Sequence, residues 1–222
     1  MKLIFFSLKN SMKDIYIFGT GNQAKVLFRI INSQKQYIFK YFVSDKMNKK
    51  IFLNKKIISL NEFMKIKENT NIFIAIGENS KRRKIFNLIK KKKKNNFPNI
   101  FYEKNTFLKN TKFGIGNLVM PGCIINNDVK IENFCILNTG SIIEHDCKIG
   151  SFNSISPGAV LSGNCETKEN VFIGSNATII HNIKIGKKSV IGAGTVVTKN
   201  VGDDSRIVGN PNRKIKQKIN YL

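Results

Sequence analysis

An unbroken six-residue period dominates the second half of the chain. From Ile115 to Thr198 the sequence divides into 14 hexads without a gap, and the fifth residue is aliphatic in all of them except at Thr167. A helix repeats its apolar positions about every 3.6 residues and a simple strand about every 2, so neither explains this period. The pattern predicts a parallel β-helix in which each hexad forms one flat side and one corner. Three hexads then make one coil, and the fifth residues fill the core.

The four cysteines follow the same period. Cys123, Cys135, Cys147 and Cys165 are all third residues of hexads, a position that is usually small or β-branched. No pair has the CxxC spacing that is typical of zinc sites. We therefore expect small buried side chains in a reducing compartment, and neither disulfides nor a metal.

The first half alternates predicted strands with predicted helices, which favours a small parallel α/β sheet. Three segments follow its strands and should lie together at the carboxyl edge, where such sheets bind ligands. They are Gly19–Gln23 after the strand 14–18, Ser44–Asp45 after the strand 37–43, and Gly77–Asn79 after the strand 71–76, with a basic helix over 80–94. The first segment has only two glycines of a dinucleotide motif, so a plain tight turn stays open as an alternative to a phosphate site.

Charge is concentrated in this first half. The chain carries a formal net charge of +24, and residues 1–113 hold 26 Lys or Arg against 6 Asp or Glu. A Lys-rich composition with solvated side chains explains this, and so does attraction of an anionic partner such as a nucleotide sugar or nucleic acid. The apolar run Leu3–Phe6 is too short for a signal peptide, which predicts a cytoplasmic protein. Residues 1–13 are expected to be an N-terminal extension, with Met12 as an alternative start.

The order of these parts resembles a known family. The motifs are FGTGNQAKV (18–26), IAIGENSKRRKI (74–85), LNTGSIIEHDCKIG (137–150) and IGAGTVVTKNV (191–201). Together they resemble the sugar O/N-acyltransferases, hexapeptide-repeat acetyltransferases that include PglD-type UDP-4-amino-sugar N-acetyltransferases and NeuD-type sialic acid O-acetyltransferases. The resemblance implies a Rossmann-like nucleotide-sugar-binding domain at 14–104 and a left-handed β-helix at 105–222. It also implies acetyl-CoA as the acetyl donor and a homotrimer. On this interpretation neither a nucleic acid partner nor a membrane span is expected.

Catalysis is expected at His145, within the sequence IEHDCKIG. Acyl transfer from a thioester needs a base for the acceptor's proton, and histidine suits this role near neutral pH. The resemblance makes His145 the general base in a direct attack without an acyl-enzyme, with Asp146 strengthening it. His181 occupies the same hexad position two coils later and is interpreted as structural. A carbonic-anhydrase-like zinc site needs three histidines, and the chain has 2.

Further site residues come from the resemblance alone. The residues implied for acetyl-CoA are Ser154, Ser175 and Ala193. Those implied for the nucleotide sugar are Gly21, Asn22, Gln23, Ser44, Asp45, Gly77 and Glu78. Four of these positions depart from the residues common in the family: Ser154 and Gln23 replace histidines, Glu78 an asparagine and Ala193 a glycine.

Two functions therefore remain open at the level of sequence. The first is an acetyltransferase that acts on an amino or hydroxyl group of a nucleotide-linked sugar. The second is a non-catalytic β-helix protein whose basic N-terminal domain holds nucleic acid or an acidic polymer. The pair His145–Asp146 favours the enzyme, because a scaffold does not need it.

Overall fold

The computed structural model describes residues 13–34, 37–91, 95–102, 106–107 and 109–216. The expected N-terminal extension, including Met12, lies outside these residues except for Lys13, which begins the first strand. Within the described residues, no helix is both long and apolar enough to span a bilayer.

The N-terminal domain is a six-stranded sheet with helices packed against it. Its strand order is β3-β4-β2-β1-β5-β6, and every pairing is parallel except that of β3 with β4. In chain order the elements are β1 (Lys13–Phe18), α1 (Asn22–Gln34), β2 (Tyr37–Ser44), β3 (Ile51–Phe52), β4 (Lys55–Ser59), α2 (Leu60–Met64), β5 (Thr70–Ile74), α3 (Asn79–Ile89) and β6 (Asn95–Asn96).

The local sequence explains how these helices pack and where they begin. α1 buries one apolar stripe, including Leu27 and Ile31, as an amphipathic helix against a sheet does. α2 starts at a capping box in which Ser59 and Glu62 satisfy each other's backbone N–H groups. α3 ends at Ile89, and the last three residues of the helix predicted over 80–94 lie outside the described residues.

The repeat region is a parallel β-helix with three flat sides. The first side contains β7 (Ile100–Phe101), β10 (Leu118–Val119), β13 (Ile136–Leu137), β16 (Ser154–Ile155), β19 (Phe172–Ile173), β22 (Val190–Ile191), β24 (Arg206–Val208) and the antiparallel β25 (Arg213–Lys214). The second contains β8 (Thr106–Phe107), β11 (Ile124–Ile125), β14 (Ile142–Ile143), β17 (Val160–Leu161), β20 (Thr178–Ile179) and β23 (Val196–Val197). The third contains β9 (Lys112–Phe113), β12 (Lys130–Ile131), β15 (Lys148–Ile149), β18 (Glu166–Thr167) and β21 (Lys184–Ile185).

The register confirms the predicted coil of 18 residues. Ile125 pairs with Ile143, and Ile143 pairs with Leu161. All 14 fifth residues are buried, including Ile149 and Ile185 at 1% exposure each. The exceptional Thr167 accepts a hydrogen bond from the amide of buried Asn153 at 2.6 Å, so its hydroxyl is satisfied inside the core. β7 already belongs to the first side, which therefore begins before the boundary expected at residue 105.

The four cysteines are buried and free, as predicted. Their side chains fill inward third positions beside the aliphatic fifth positions. Burial raises the pKa of the Cys135 thiol to about 12, so this thiol stays protonated.

A second periodic feature shapes the corners. The second residue of all 14 hexads, from Gly116 to Gly194, has a positive φ between +55° and +74°. Glycine, asparagine and aspartate occupy most of these positions, because they enter the left-handed region at the lowest cost. These residues at the second position are visible in the sequence, although the prediction of a β-helix used the inward residues alone. The predicted fold class, a Rossmann-like parallel-sheet domain followed by a left-handed β-helix, is confirmed.

The outward residues differ among the three sides. The first side is covered by the N-terminal domain. Phe86 of α3 packs there against stacked Phe134 and Phe152, which lie at the third–first corner, where the chain passes from the third side to the first. Aliphatic residues such as Ile124 and Val160 line the outside of the second side, and Ile124 is 41% exposed. The third side presents a column of lysines at 112, 130, 148 and 184, interrupted by Glu166.

Candidate functional site

The carboxyl edge of the N-terminal sheet brings the three predicted segments together. Phe18 pairs with Val43 on one side and Ile74 on the other, so the segments after β1, β2 and β5 are neighbours. Gly19 has a φ of +118°, and an added Cβ would lie 2.9 Å from the Ala75 carbonyl oxygen. Only glycine fits this close approach. β2 lies on one side of β1 and β5 lies on the other, so the strand order reverses its direction at β1. This edge is therefore a topological switch point.

The residues at this edge differ in their exposure and in whether their side chains are already hydrogen-bonded. Gly21, Asn22 and Asp45 are exposed, and a Cβ at Gly21 would meet no atom within 4 Å. Ser44 is buried, and its hydroxyl donates to the Lys46 carbonyl at 2.8 Å within a local turn. The Gln23 side-chain nitrogen is buried without a hydrogen-bond partner among the described residues.

Glu78 carries a charge that lysine balances. Its carboxylate contacts Lys81 Nζ at 2.5 Å and accepts from the Ser80 hydroxyl at 2.5 Å. Partial burial opposes ionisation, but the hydrogen bonds from Lys81 and Ser80 hold the pKa of Glu78 below its usual value. The acid in place of the asparagine common in the family therefore does not leave an unpaired negative charge at the edge.

Ser154 lies in the seam between the two domains. It is 3% exposed, its hydroxyl donates to Asn79 Oδ1 at 2.6 Å, and the same oxygen is 3.3 Å from an Arg82 nitrogen. Asn79 ends the third segment predicted at the carboxyl edge, but its contact with Ser154 was not expected. Arg82 was not singled out from the sequence, because it stands within a basic run that is typical of a solvated helix face. The geometry gives Ser154 a role in joining the domains, and its contact with acetyl-CoA stays a prediction.

His145 and Asp146 form an exposed pair at the second–third corner. Their side chains are 58% and 60% exposed, and His145 Nδ1 lies 2.9 Å from Asp146 Oδ2. Asp146 has a φ of +60°, which suits an acidic residue at this turn. When Nδ1–H donates to the carboxylate, Nε2 keeps its lone pair and can accept a proton. The ring lies over Gly163, where an added Cβ would come within 2.5 Å of Cε1 and Nε2.

His181 occupies the same corner two coils further on, as predicted from the period. The ladder Ile143, Leu161 and Ile179 places the two histidines in one column. The neighbour of His181 is Asn182, whose side-chain oxygen accepts from Asn164 at 2.7 Å. His181 therefore lacks a carboxylate neighbour corresponding to Asp146.

Ser175 and Ala193 stack at the first–second corner. The Gly194 backbone donates to the Ser175 carbonyl at 2.8 Å, which places the two residues in neighbouring coils. Ala193 is exposed and Ser175 is partly exposed. This corner borders the second side, and so does the corner that holds His145.

One chain does not bring all the predicted residues to one place. Gly77 and Ser154 meet at the seam, but His145 lies on another corner, and one side of about six extended residues spans roughly 20 Å. Among the described residues, no hydrogen bond or ion pair joins His145 or Asp146 to the N-terminal domain. The same part of the chain contains no group of three or more His, Cys, Asp or Glu that could hold a metal ion.

Family models match both halves of the chain. Residues 14–89 match the PglD N-terminal domain, and residues 164–199 match the bacterial transferase hexapeptide of six repeats.

Solved structures resemble the whole chain. WeeI from Acinetobacter baumannii AYE is 26% identical, with a TM-score of 0.85 over 92% of this chain and 100% of that one. PerB from Caulobacter crescentus, in complex with CoA and GDP-perosamine, is 25% identical, with a TM-score of 0.82 over 92% and 98%. The acetyltransferase domain of PglB from Neisseria gonorrhoeae FA1090, in complex with acetyl coenzyme A, is 24% identical and has the same fold, with a TM-score of 0.83 over 92% and 100%. These matches confirm the family resemblance and the prediction of an acetyltransferase.

Proposed function

We propose that this chain, which belongs to the hexapeptide-repeat acyltransferases with a PglD-type N-terminal domain, transfers an acetyl group from acetyl-CoA to a nucleotide-linked sugar. The observation that carries the proposal is the hydrogen bond of 2.9 Å between His145 Nδ1 and Asp146 Oδ2. It leaves an oriented imidazole nitrogen at an exposed corner. PerB, a similar structure, is in complex with CoA and GDP-perosamine, which supports the same classes of donor and acceptor here.

The reaction needs one base and no covalent enzyme intermediate. An acceptor nitrogen or oxygen attacks the thioester carbonyl carbon, while His145 Nε2 takes the proton that the acceptor loses. The carbon–sulfur bond then breaks, and the CoA thiolate leaves with the proton returned by the imidazolium. Asp146 stabilises the imidazolium through Nδ1–H during this cycle. The buried cysteines take no part, because the attack is direct.

A homotrimer would complete the site. The aliphatic outer face of the second side needs cover, and the corners with His145 and with Ser175 and Ala193 flank it. If three copies turn this side toward a common axis, the His145 corner of one copy meets the Ser175–Ala193 corner of the next. The neighbour's N-terminal domain, seated on its first side, then faces the same groove.

Roles for the remaining predicted residues follow from this arrangement. We assign acetyl-CoA to the groove between β-helices, beside Ser175 and Ala193. Ser154, which lies in the seam, is the third residue predicted to contact acetyl-CoA. The nucleotide sugar is assigned to the carboxyl edge, through Gly21, Asn22, Gln23, Ser44, Asp45, Gly77 and Glu78. The cytoplasmic location stays a prediction.

Acetyl transfer to a panel of acceptors tests the proposal. The purified chain is incubated with acetyl-CoA and UDP-, GDP- or dTDP-linked 4-amino sugars, or with free sialic acid, and the products are detected by mass. We expect acetylation of at least one nucleotide-linked sugar. Absence of transfer to every acceptor, with thermal stabilisation by RNA and none by acetyl-CoA, would favour the non-catalytic binding protein instead.

A further inference from the structure

Arg82 is a buried cation that has no carboxylate partner among the described residues. It is 1% exposed, and its hydrogen bonds go to four backbone carbonyls, one amide oxygen and one hydroxyl. Burial lowers the pKa of the guanidinium to about 10, so it remains charged at neutral pH. A buried charge is weak evidence for stability, because apolar replacements often fold as well. Stability alone therefore does not explain why an arginine is buried at this position.

The guanidinium connects two parts of the molecule. On one side Nε donates to the Phe134 carbonyl at 2.9 Å, and a terminal nitrogen lies 3.2 Å from the Asn153 carbonyl of the β-helix. On the other side one nitrogen donates to the carbonyls of both Ile76 and Gly77, each at 2.8 Å. These two carbonyls belong to the turn that follows β5 at the carboxyl edge.

These bonds fix the direction of two peptide units. A trans peptide is planar, so its N–H points opposite to its C=O. With the carbonyls of Ile76 and Gly77 turned toward Arg82, the N–H groups of Gly77 and Glu78 point away from the seam. Neither N–H has a hydrogen-bond partner in the described part of the chain. A cation on the carbonyl also polarises its peptide unit and strengthens the N–H as a donor.

We propose that Arg82 is a positioning residue for the acceptor, holding the turn at Gly77 so that two N–H donors face the diphosphate of the nucleotide sugar. The proposal rests on the acetyltransferase function proposed above. It adds a determinant of acceptor binding that lies outside the carboxyl edge and does not touch the ligand. Arg82 also sets the position of that edge against the β-helix, so its loss should affect the acceptor more than the donor.

The test compares Arg82→Met, which keeps the volume and removes the charge, with Arg82→Lys, which keeps the charge but has fewer donors. Arg83→Met is the matched control, because Arg83 crosses the same seam to Glu169 at 2.7 Å without contacting the turn. Steady-state kinetics give KM for the nucleotide sugar and for acetyl-CoA, and calorimetry gives Kd for UDP, GDP and CoA.

We expect Arg82→Met to raise KM for the acceptor about 10–100-fold, with kcat and KM for acetyl-CoA within about twofold of wild type. Arg82→Lys should have a KM for the acceptor between those of wild type and Arg82→Met. If Arg82→Met does not fold, Arg82→Lys provides the test. Arg83→Met should keep both KM values. Equal changes in the KM of donor and acceptor, or an unchanged KM for the acceptor in either Arg82 variant, would overturn the proposal.

The proposed function can fail separately. If the wild-type chain transfers no acetyl group, the acetyltransferase account is lost, and the Kd values for UDP and GDP still test Arg82. Weaker nucleotide binding in Arg82→Met with unchanged CoA binding supports the positioning role. Unchanged nucleotide binding contradicts it.

Discussion

Two histidines stand at the same corner of the β-helix, two coils apart, and their surroundings differ. His145 is hydrogen-bonded to Asp146 and lies over Gly163. His181 is followed by Asn182, whose side chain is bonded to Asn164 in the neighbouring coil. The repeat fixes where each histidine lies, whereas the side chains around it decide whether its ring is oriented. We therefore propose His145, and not His181, as the catalytic base.

The largest effect should come from His145→Ala. Removal of the base should lower kcat about 10²–10⁴-fold with the preferred acceptor. The melting temperature and the Kd for acetyl-CoA should change little, because the His145 side chain is 58% exposed. Turnover near the wild-type level in this variant would show that another group takes the proton.

Asp146→Asn should have the next largest effect. Asparagine tolerates the positive φ at this corner, so the fold should persist. Loss of the carboxylate removes the charge that orients Nδ1–H, and we expect kcat to fall about 10–100-fold, as for outer partners of other functional histidines. A pH–rate profile locates the change in the base. A profile and kcat identical to wild type would leave Asp146 as a turn residue only.

Gly163→Ala should have a smaller effect, through the position of the ring. The new Cβ would lie 2.5 Å from two ring atoms of His145, so the imidazole must move. We expect kcat to fall about 10-fold, since displacement of a catalytic group by about 1 Å weakens catalysis. Gly202→Ala is the control, because the nearest atom to its Cβ would be 4.0 Å away. Equal rates in the two variants would contradict this placement of the ring.

His181→Ala should have the smallest effect. Its corner lacks the carboxylate, and we expect kcat within about twofold of wild type. Kinetics measured beside His145→Ala with the same acceptor checks this. A loss in His181→Ala with normal turnover in His145→Ala would reverse the assignment.

Sequence reasoning succeeded where a local pattern sets the structure. The period of six placed all 14 fifth residues inside, and the position of each histidine in the column followed from it. The carboxyl edge of the N-terminal sheet was also predictable, because its segments follow recognisable strands. In both cases the spacing of neighbouring residues carries the information.

Sequence reasoning missed the seam between the domains. Arg82 belongs to a basic run, and no local signal distinguishes it from exposed Lys81 or Lys84. Its burial depends on the Phe134 and Asn153 carbonyls, which are distant in sequence. The same limit applies to the contact of Ser154 with Asn79, whereas the contact of Ser154 with acetyl-CoA stays a prediction. Contacts between domains arise from packing, so the period of neither half predicts them.

Mixing two inactive variants tests whether His145 of one copy serves the carboxyl edge of another. His145→Ala lacks the base, and Gly21→Glu, placed where a Cβ meets no atom within 4 Å, repels an anionic acceptor. The variants are mixed in equal amounts, dissociated and reassembled. We expect recovery of about a quarter of the wild-type rate, the share of sites with both halves intact in a closed ring of copies. No recovery from a fully mixed assembly would contradict it, because a site within one chain cannot be restored by mixing.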